Sequence, residues 1–235
     1  MRLKKFKVLY AAMLFLFMIS LTVTNVKSAD YTATIYVDPP CVLDEATGNG
    51  ATFDLSFMIR DAVDCFSWSL NVSYDPSVLM ITAYSSEGNF LDGPEGTSWN
   101  FRYEPSLGWF LITESILGTY EGIDGDGWLV NFTFQVLTDY GRTVVNIDDP
   151  LTHIYTHPPY PPAMELVNIE NGYFSNMIPG DVDGDGDVDR YDFGSFAGAY
   201  GSIAGDSNYD IECDLDKDGD VDRYDFGTFA GNYGR

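Results

Sequence analysis

The segment that opens at Asp181 returns almost letter for letter from Asp214, an offset of 33 residues: DVDGDGDVDRYDFGSFAGAYG, then DLDKDGDVDRYDFGTFAGNYG. A repeat of this kind is two copies of one supersecondary unit, so this part of the chain must be built as a pair. Within each copy Asp recurs at nearly every second position and a Gly holds the sixth. Phe193, Phe196 and Tyr200 follow the first acidic run, and Phe226, Phe229 and Tyr233 follow the second. Rings spaced by three and four residues share one helical face. Each copy therefore reads as an acidic loop followed by one helix.

The phasing is that of a twelve-residue loop of EF-hand type, which offers oxygens at positions 1, 3, 5, 7, 9 and 12 and turns at a Gly in position 6. In the first loop the side-chain ligands are Asp181, Asp183, Asp185, Asp189 and Asp192, with Asp187 giving its carbonyl and Gly186 turning. In the second they are Asp214, Asp216, Asp218, Asp222 and Asp225, with Asp220 giving its carbonyl and Gly219 turning. The expectation is two Ca2+ ions. Asp192 and Asp225 replace the longer Glu usual at position 12, and no helix precedes either loop: Pro179-Gly180 stands before one and Asp210–Cys213 before the other. Gly194, Gly198, Gly227 and Gly231 each cost a helix about 1 kcal/mol against Ala. Helices so weakened depend on the metal and on each other's rings. A phosphatase-type DxDG nucleophile is excluded, because it follows an apolar strand and does not recur 33 residues on.

These residues resemble the dockerin family, with two loops ending in Asp and one helix after each. The resemblance covers residues 181–235. It implies that the module binds a cohesin domain of another secreted protein, and that loop positions 10 and 11, here Arg190-Tyr191 and Arg223-Tyr224, help select it.

The text from Tyr31 to Phe174 follows a different grammar. In Phe66–Tyr74 large apolar and small polar residues alternate without a break, the mark of a strand with one buried face. Period-two runs recur at Thr32–Val37, Phe53–Ile59 and Val130–Val136, with apolar runs at Trp109–Ile112 and Val144–Ile147. Gly, Pro, Asp and Asn clusters such as Gly88–Gly96 and Gly122–Gly127 separate them. The predicted class is mostly β: an antiparallel jelly-roll or β-sandwich over residues 30–176, then a linker at 177–180 and a small α calcium-binding domain at 181–235.

The sandwich is similar to cohesin domains in its strand ending Tyr74-Asp75-Pro76, in the run Gly125–Phe134 and in the closing Asn171-Gly172-Tyr173-Phe174. That resemblance implies that the two longest of these segments are neighbours in a sheet receiving the dockerin of another protein. Ser67, Ser69, Asn71 and Ser73 would face outward from one, and Leu129, Asn131 and Thr133 from the other. Asn71-Val72-Ser73 and Asn131-Phe132-Thr133 are also glycosylation sequons.

Residues 1–28 read as an export signal: Arg2, Lys4, Lys5 and Lys7, an apolar stretch from Val8 to Val23, then small residues to Ser28. The stretch is shorter than the roughly 20 apolar residues of a membrane span, so the expected product is secreted, with no stable span after processing. The segment carries Lys27 as its fifth base and no acid, so its removal takes the formal charge from −24 to −29. Such a chain repels nucleic acid and suits cations or basic protein surfaces. Cys41 and Cys65 suit a disulfide only if their strands lie side by side, and Cys213 is left over. His153 and His157 read as structural beside a proline-rich stretch, and Asp124 and Asp126 as part of a turn. Glu114 and Glu121 make no case for a glycosidase acid pair in so acidic a chain. The reading is a non-catalytic adaptor for polysaccharide-associated assemblies; the alternative is a sugar-binding sandwich, with polysaccharide as its partner, delivered by a dockerin.

Overall fold

In a computed structural model the described residues are 33–93, 96–118, 121–149, 151–156 and 163–235. The predicted export signal and His157 lie outside them. The strands are β1 (Thr34–Asp38), β2 (Cys41–Leu43), β3 (Thr52–Ser73), β4 (Leu79–Ser85), β5 (Thr97–Glu104), β6 (Trp109–Ile116), β7 (Ile123–Val136), β8 (Arg142–Ile147), β9 (His153–Thr156), β10 (Ala163–Leu166), β11 (Asn168–Glu170) and β12 (Gly172–Ser175). Two helices follow, α1 (Arg190–Ala199) and α2 (Arg223–Asn232).

The organising element is β3, 22 residues long. Its first half pairs with β1 and β7, and its second half with β6 and β9. One strand thus belongs to both layers of the sandwich. The crossing is made at Asp61 (φ 56°) and Asp64 (φ 52°), where the register against β7 slips. Bulges of this kind reverse which alternate residues face inward: Leu55, Phe57 and Ile59 are buried before the crossing, and Trp68, Leu70 and Val72 after it. Asp tolerates the left-handed conformation better than most residues. Here the opposite strand also holds both residues, because Asp126 accepts the Asp61 amide at 2.8 Å and Asp124 accepts that of Asp64 at 2.6 Å. A Cβ on Gly122 would lie 2.3 Å from the Asp64 backbone, so only glycine fits there. The predicted turn at Gly122–Gly127 is instead largely the start of β7, and Asp124 and Asp126 serve the bulges.

The layers meet through aromatic rings. Phe132 of β7 lies 4.5 Å from Phe110 of β6, and Phe57 of β3 meets Phe110 edge-on at 5.8 Å. The expected sandwich is present, with two corrections. The pairs β1–β11 and β2–β12 are parallel, since short edge strands are laid beside each other by long returns of the chain. Cys41, Cys65 and Cys213 are all free. Cys41 sits beside Tyr173 in β2–β12, whereas Cys65 sits at the β3 crossing beside β7 and β9, so their strands are not neighbours.

Glu114 of β6 is a buried hub, 1% exposed, whereas Glu121 is exposed. Glu114 Oε2 accepts from Trp68 Nε1 (3.0 Å) and Asn89 Nδ2 (2.6 Å). Burial raises its pKa, against the hydrogen bonds of Thr97, Asn89 and Trp68 that lower it. A raised carboxylate pKa means that the folded state holds the proton longer than the unfolded one. Its favourable contribution is complete below the unfolded value and is lost as pH rises through the folded value. Glu114→Ala leaves two interior donors unpaired at about 1–3 kcal/mol each, and urea unfolding should show a loss of several kcal/mol. Glu114→Gln should flatten the decline of stability with rising pH. An unaltered midpoint in the Ala variant would refute the hub.

The C-terminal module has its own core of Val182, Val188, Phe196, Ala199, Cys213, Val221 and Phe229, with Phe196 and Phe229 stacked at 5.1 Å. The copies exchange backbone bonds reciprocally. Val221 of the second loop pairs with Gly201 and Ser202 after α1, and Val188 of the first pairs with Gly234 and Arg235 after α2. Neither copy is complete alone. The connection at 177–180 is packed: Gly180 is buried with φ 104°, an added Cβ would meet Phe229 and Val188 at 3.2 and 3.3 Å, and Asn232 donates to the Pro179 carbonyl at 2.9 Å. Sandwich and module form one compact unit, Tyr31–Arg235.

Candidate functional site

Each acidic loop is wound around its first and last carboxylates. Asp181 accepts the amides of Gly184 (2.8 Å) and Gly186 (2.9 Å), and the buried Asp192 accepts those of Val182 (2.7 Å), Asp183 (3.1 Å) and Asp189 (2.7 Å). The second loop repeats the scheme. Asp214 accepts from Gly219 (3.0 Å), and Asp225 from Leu215 (2.6 Å), Asp216 (3.2 Å) and Asp222 (2.7 Å). The twelfth position is also the third residue of the helix, where Asp192 and Asp225 complete capping boxes with Asp189 and Asp222.

Carboxylate oxygens of Asp181, Asp183 and Asp192 lie within 4.8 Å of one another, as do those of Asp187, Asp189 and Asp192. The second loop gathers Asp214, Asp216 and Asp218, and likewise Asp220, Asp222 and Asp225. Oxygens sharing one calcium at about 2.3–2.6 Å are at most about 5 Å apart, so the spacing fits that ion. Asp214 Oδ1 and Asp220 Oδ1 are buried without a hydrogen-bond partner, as suits lone pairs directed at a cation. Burial, then the charge of Asp192, raises the pKa of Asp183; the charge of Asp185, then burial, raises that of Asp187. Asp216 and Asp220 are raised in the same way by burial, then by Asp225 and Asp218 respectively. An all-oxygen, mutually repelling set suits a hard divalent cation. Asp187 and Asp220, expected to act through their carbonyls, bring their carboxylates into the clusters, and Asp185 lies outside both first-loop groups.

The helices present the same surface twice. Arg190 lies over the Tyr191 ring at 4.7 Å and donates to its hydroxyl at 2.9 Å; Arg223 and Tyr224 do so at 4.5 and 2.7 Å. Tyr191 and Tyr224 are 60% and 58% exposed, and Phe193, Tyr200, Phe226 and Tyr233 also stand open to solvent.

The sandwich residues predicted as one docking face are separated. Ser67, Ser69, Asn71 and Ser73 lie opposite Ser115, Thr113, Leu111 and Trp109 of β6, whereas Asn131 and Thr133 of β7 lie opposite Ser56 and Asp54 in the first half of β3. They are on different layers because β3 crosses between them. Leu129 is fully buried: the slip between Phe57/Met58 turns it into the core. Ser67, Ser69 and Asn71 are also more enclosed than expected. Ser69 donates to the Leu151 carbonyl at 2.9 Å, and the Asn71 amide group donates to Asp148 at 3.3 Å. The Asn71 sequon is thereby closed in the folded chain.

Sequence reasoning missed the residues joining the two modules. Arg142 of β8 forms an ion pair with Glu212 at 3.1 Å, and Tyr173 of β12 donates to the same carboxylate at 2.7 Å. Lys217 of the second loop stands over the Tyr173 ring at 4.2 Å, and Arg235 pairs with Glu45 at 3.0 Å. Scarcity was the available signal, since beyond residue 28 the chain has seven bases and three of them, Arg142, Lys217 and Arg235, are used here.

The sandwich has a cohesin-like fold. It is similar to a chain of the CaDoc0917–CaCohA2 complex, at 16% identity and a TM-score of 0.51, covering 61% of this chain and 99% of that one. The solution structure of CaCohA2 from Clostridium acetobutylicum matches at 14% identity and a TM-score of 0.50, covering 62% and 90%. No protein-family description matches the sequence, and no curated protein matches it.

Proposed function

We propose that this chain is a secreted, non-catalytic adaptor whose C-terminal residues 181–235 form a dockerin that plugs into a cohesin domain of another protein in a calcium-dependent manner, while its sandwich receives a dockerin. The observation that carries the reading is the union, in one chain, of a cohesin-like sandwich with a duplicated acidic loop-helix unit whose two equivalent Arg-Tyr pairs both face solvent. The solved complex of CaCohA2 with CaDoc0917 supports the choice of partner for the sandwich. Its receiving face is the outer surface of β5 and β6, since Ser67, Ser69 and Asn71 of β3 are covered. There the exposed Asn100, Arg102 and Glu104 of β5 lie opposite Thr113, Leu111 and Trp109 of β6, and Arg102 lies over the half-buried Trp109 ring at 5.8 Å. Trp and Arg at a sheet surface are residue types that dominate docking energetics. Calcium would supply charge neutralisation and tie each loop to its helix. A plug and a socket on one chain extend an assembly head to tail.

The test is to immobilise the full chain and expose it to the source organism's secreted proteins in calcium, then elute with chelator. A cohesin-bearing protein released by chelator supports the reading. Capture indifferent to calcium, or of polysaccharide alone, overturns it.

A further inference from the structure

Arg142 reaches from the sandwich to the first acidic loop and donates from Nη1 to the Asp181 carbonyl (3.3 Å) and from Nη2 to the Val182 carbonyl (2.9 Å). The amides of those same two peptide units, on Val182 and Asp183, donate to Asp192 Oδ1 at 2.7 and 3.1 Å. A peptide unit is planar with its C=O and N–H opposed. Two consecutive peptide dipoles are therefore strung between a guanidinium of one module and the twelfth-position carboxylate of the other. Glu212 faces the guanidinium at 3.1 Å and is held by the Tyr173 hydroxyl, so the clamp brings direction to the loop without a net positive charge. The second loop has the inner half of this arrangement, Leu215 and Asp216 donating to Asp225 Oδ1 at 2.6 and 3.2 Å. Its Lys217 turns elsewhere, to the Ile211 carbonyl and the Tyr173 ring.

We propose that Arg142 is a positioning residue for the first calcium loop, so that the sandwich makes two loops of nearly identical sequence unequal, the first being the tighter. This rests on the reading of the loops as calcium sites. Asp192 belongs to both carboxylate clusters of its loop, so fixing the peptides that hold it fixes the shared member of the set. Outer partners of this kind change metal affinity by about 10–100-fold.

The experiment titrates calcium alone into the full chain against a competing chelator, with Asp183→Ala and Asp216→Ala assigning the two sites. Wild type should show two affinities about tenfold or more apart, the tighter lost in Asp183→Ala. Arg142→Gln should bring the tighter site to the level of the weaker one and leave the weaker unchanged. Glu212→Gln, which leaves β8 intact, should act in the same direction, since the guanidinium then opposes the cation uncompensated. Equal affinities in wild type, or a tighter site indifferent to both variants, overturn the clamp alone. A wild-type chain that takes up no calcium overturns the loop reading and the clamp with it.

Discussion

In excess chelator, residues 181–235 are expected to lose both helices while the sandwich stays folded. The first loop sets six Asp against Arg190 and the second sets six against Lys217 and Arg223, formal charges of −5 and −4. Burial adds to the repulsion at Asp181 and Asp214, which are 3% and 1% exposed. Helices of ten residues are shorter than the roughly 12–15 that persist marginally in water. Beyond Gly194, Gly198, Gly227 and Gly231 lies open space, so no packing requires a glycine at these positions and none compensates for its cost. Binding energy then becomes folding energy. The sandwich keeps its separate core. Limited proteolysis with mapped cleavage sites reads the outcome: cuts within 190–199 and 223–232 in chelator, suppressed by calcium, with 33–176 intact. Helices that stay resistant in chelator would refute the coupling.

Replacing Arg190, Tyr191, Arg223 and Tyr224 together by Ala should cost several kcal/mol of binding to a cohesin partner, the scale at which hot-spot residues act. Either pair replaced alone should cost little. Each guanidinium is already stacked on and bonded to its own Tyr, so each pair is a preassembled planar donor with ring area, and the two are equivalent. Rotating one repeat onto the other recreates the surface, and the sandwich leaves both pairs exposed. Titration of the two double variants and the quadruple variant in calcium measures this. Abolition of binding by one double variant would show that a single repeat is the recognition face.

What could be read beforehand divides along sequence distance. The acidic loops and the ring stripes are local patterns, and their helices form where the spacing of three and four places them. The alternation at Phe53–Ile59 and Phe66–Tyr74 marked strands correctly, yet nothing in it showed that both belong to β3 or that its halves take different partners. That depends on two left-handed Asp residues, whose cause, the carboxylates of Asp124 and Asp126, lies some 60 residues away. A single slip between Phe57 and Met58 buried Leu129 against expectation. The strand Thr97–Glu104 alternates visibly and was overlooked. Arg142 and Glu212, 70 positions apart, leave no periodic trace, and only packing brings them together.

The two parallel edge pairs bear on how this chain would carry tension. The sandwich's first strand, β1, runs alongside β11, and its last strand, β12, runs alongside β2, each pair in the same direction. A pull along β1 and β12 is expected to load these parallel pairs lengthwise, beside the antiparallel ladders that β1 makes with β3 and β12 with β8. Hydrogen bonds loaded lengthwise must fail together, whereas a peeled ladder gives way one rung at a time. The parallel pairs thus sit at the first and last strands of the sandwich, where a load along the chain would enter it.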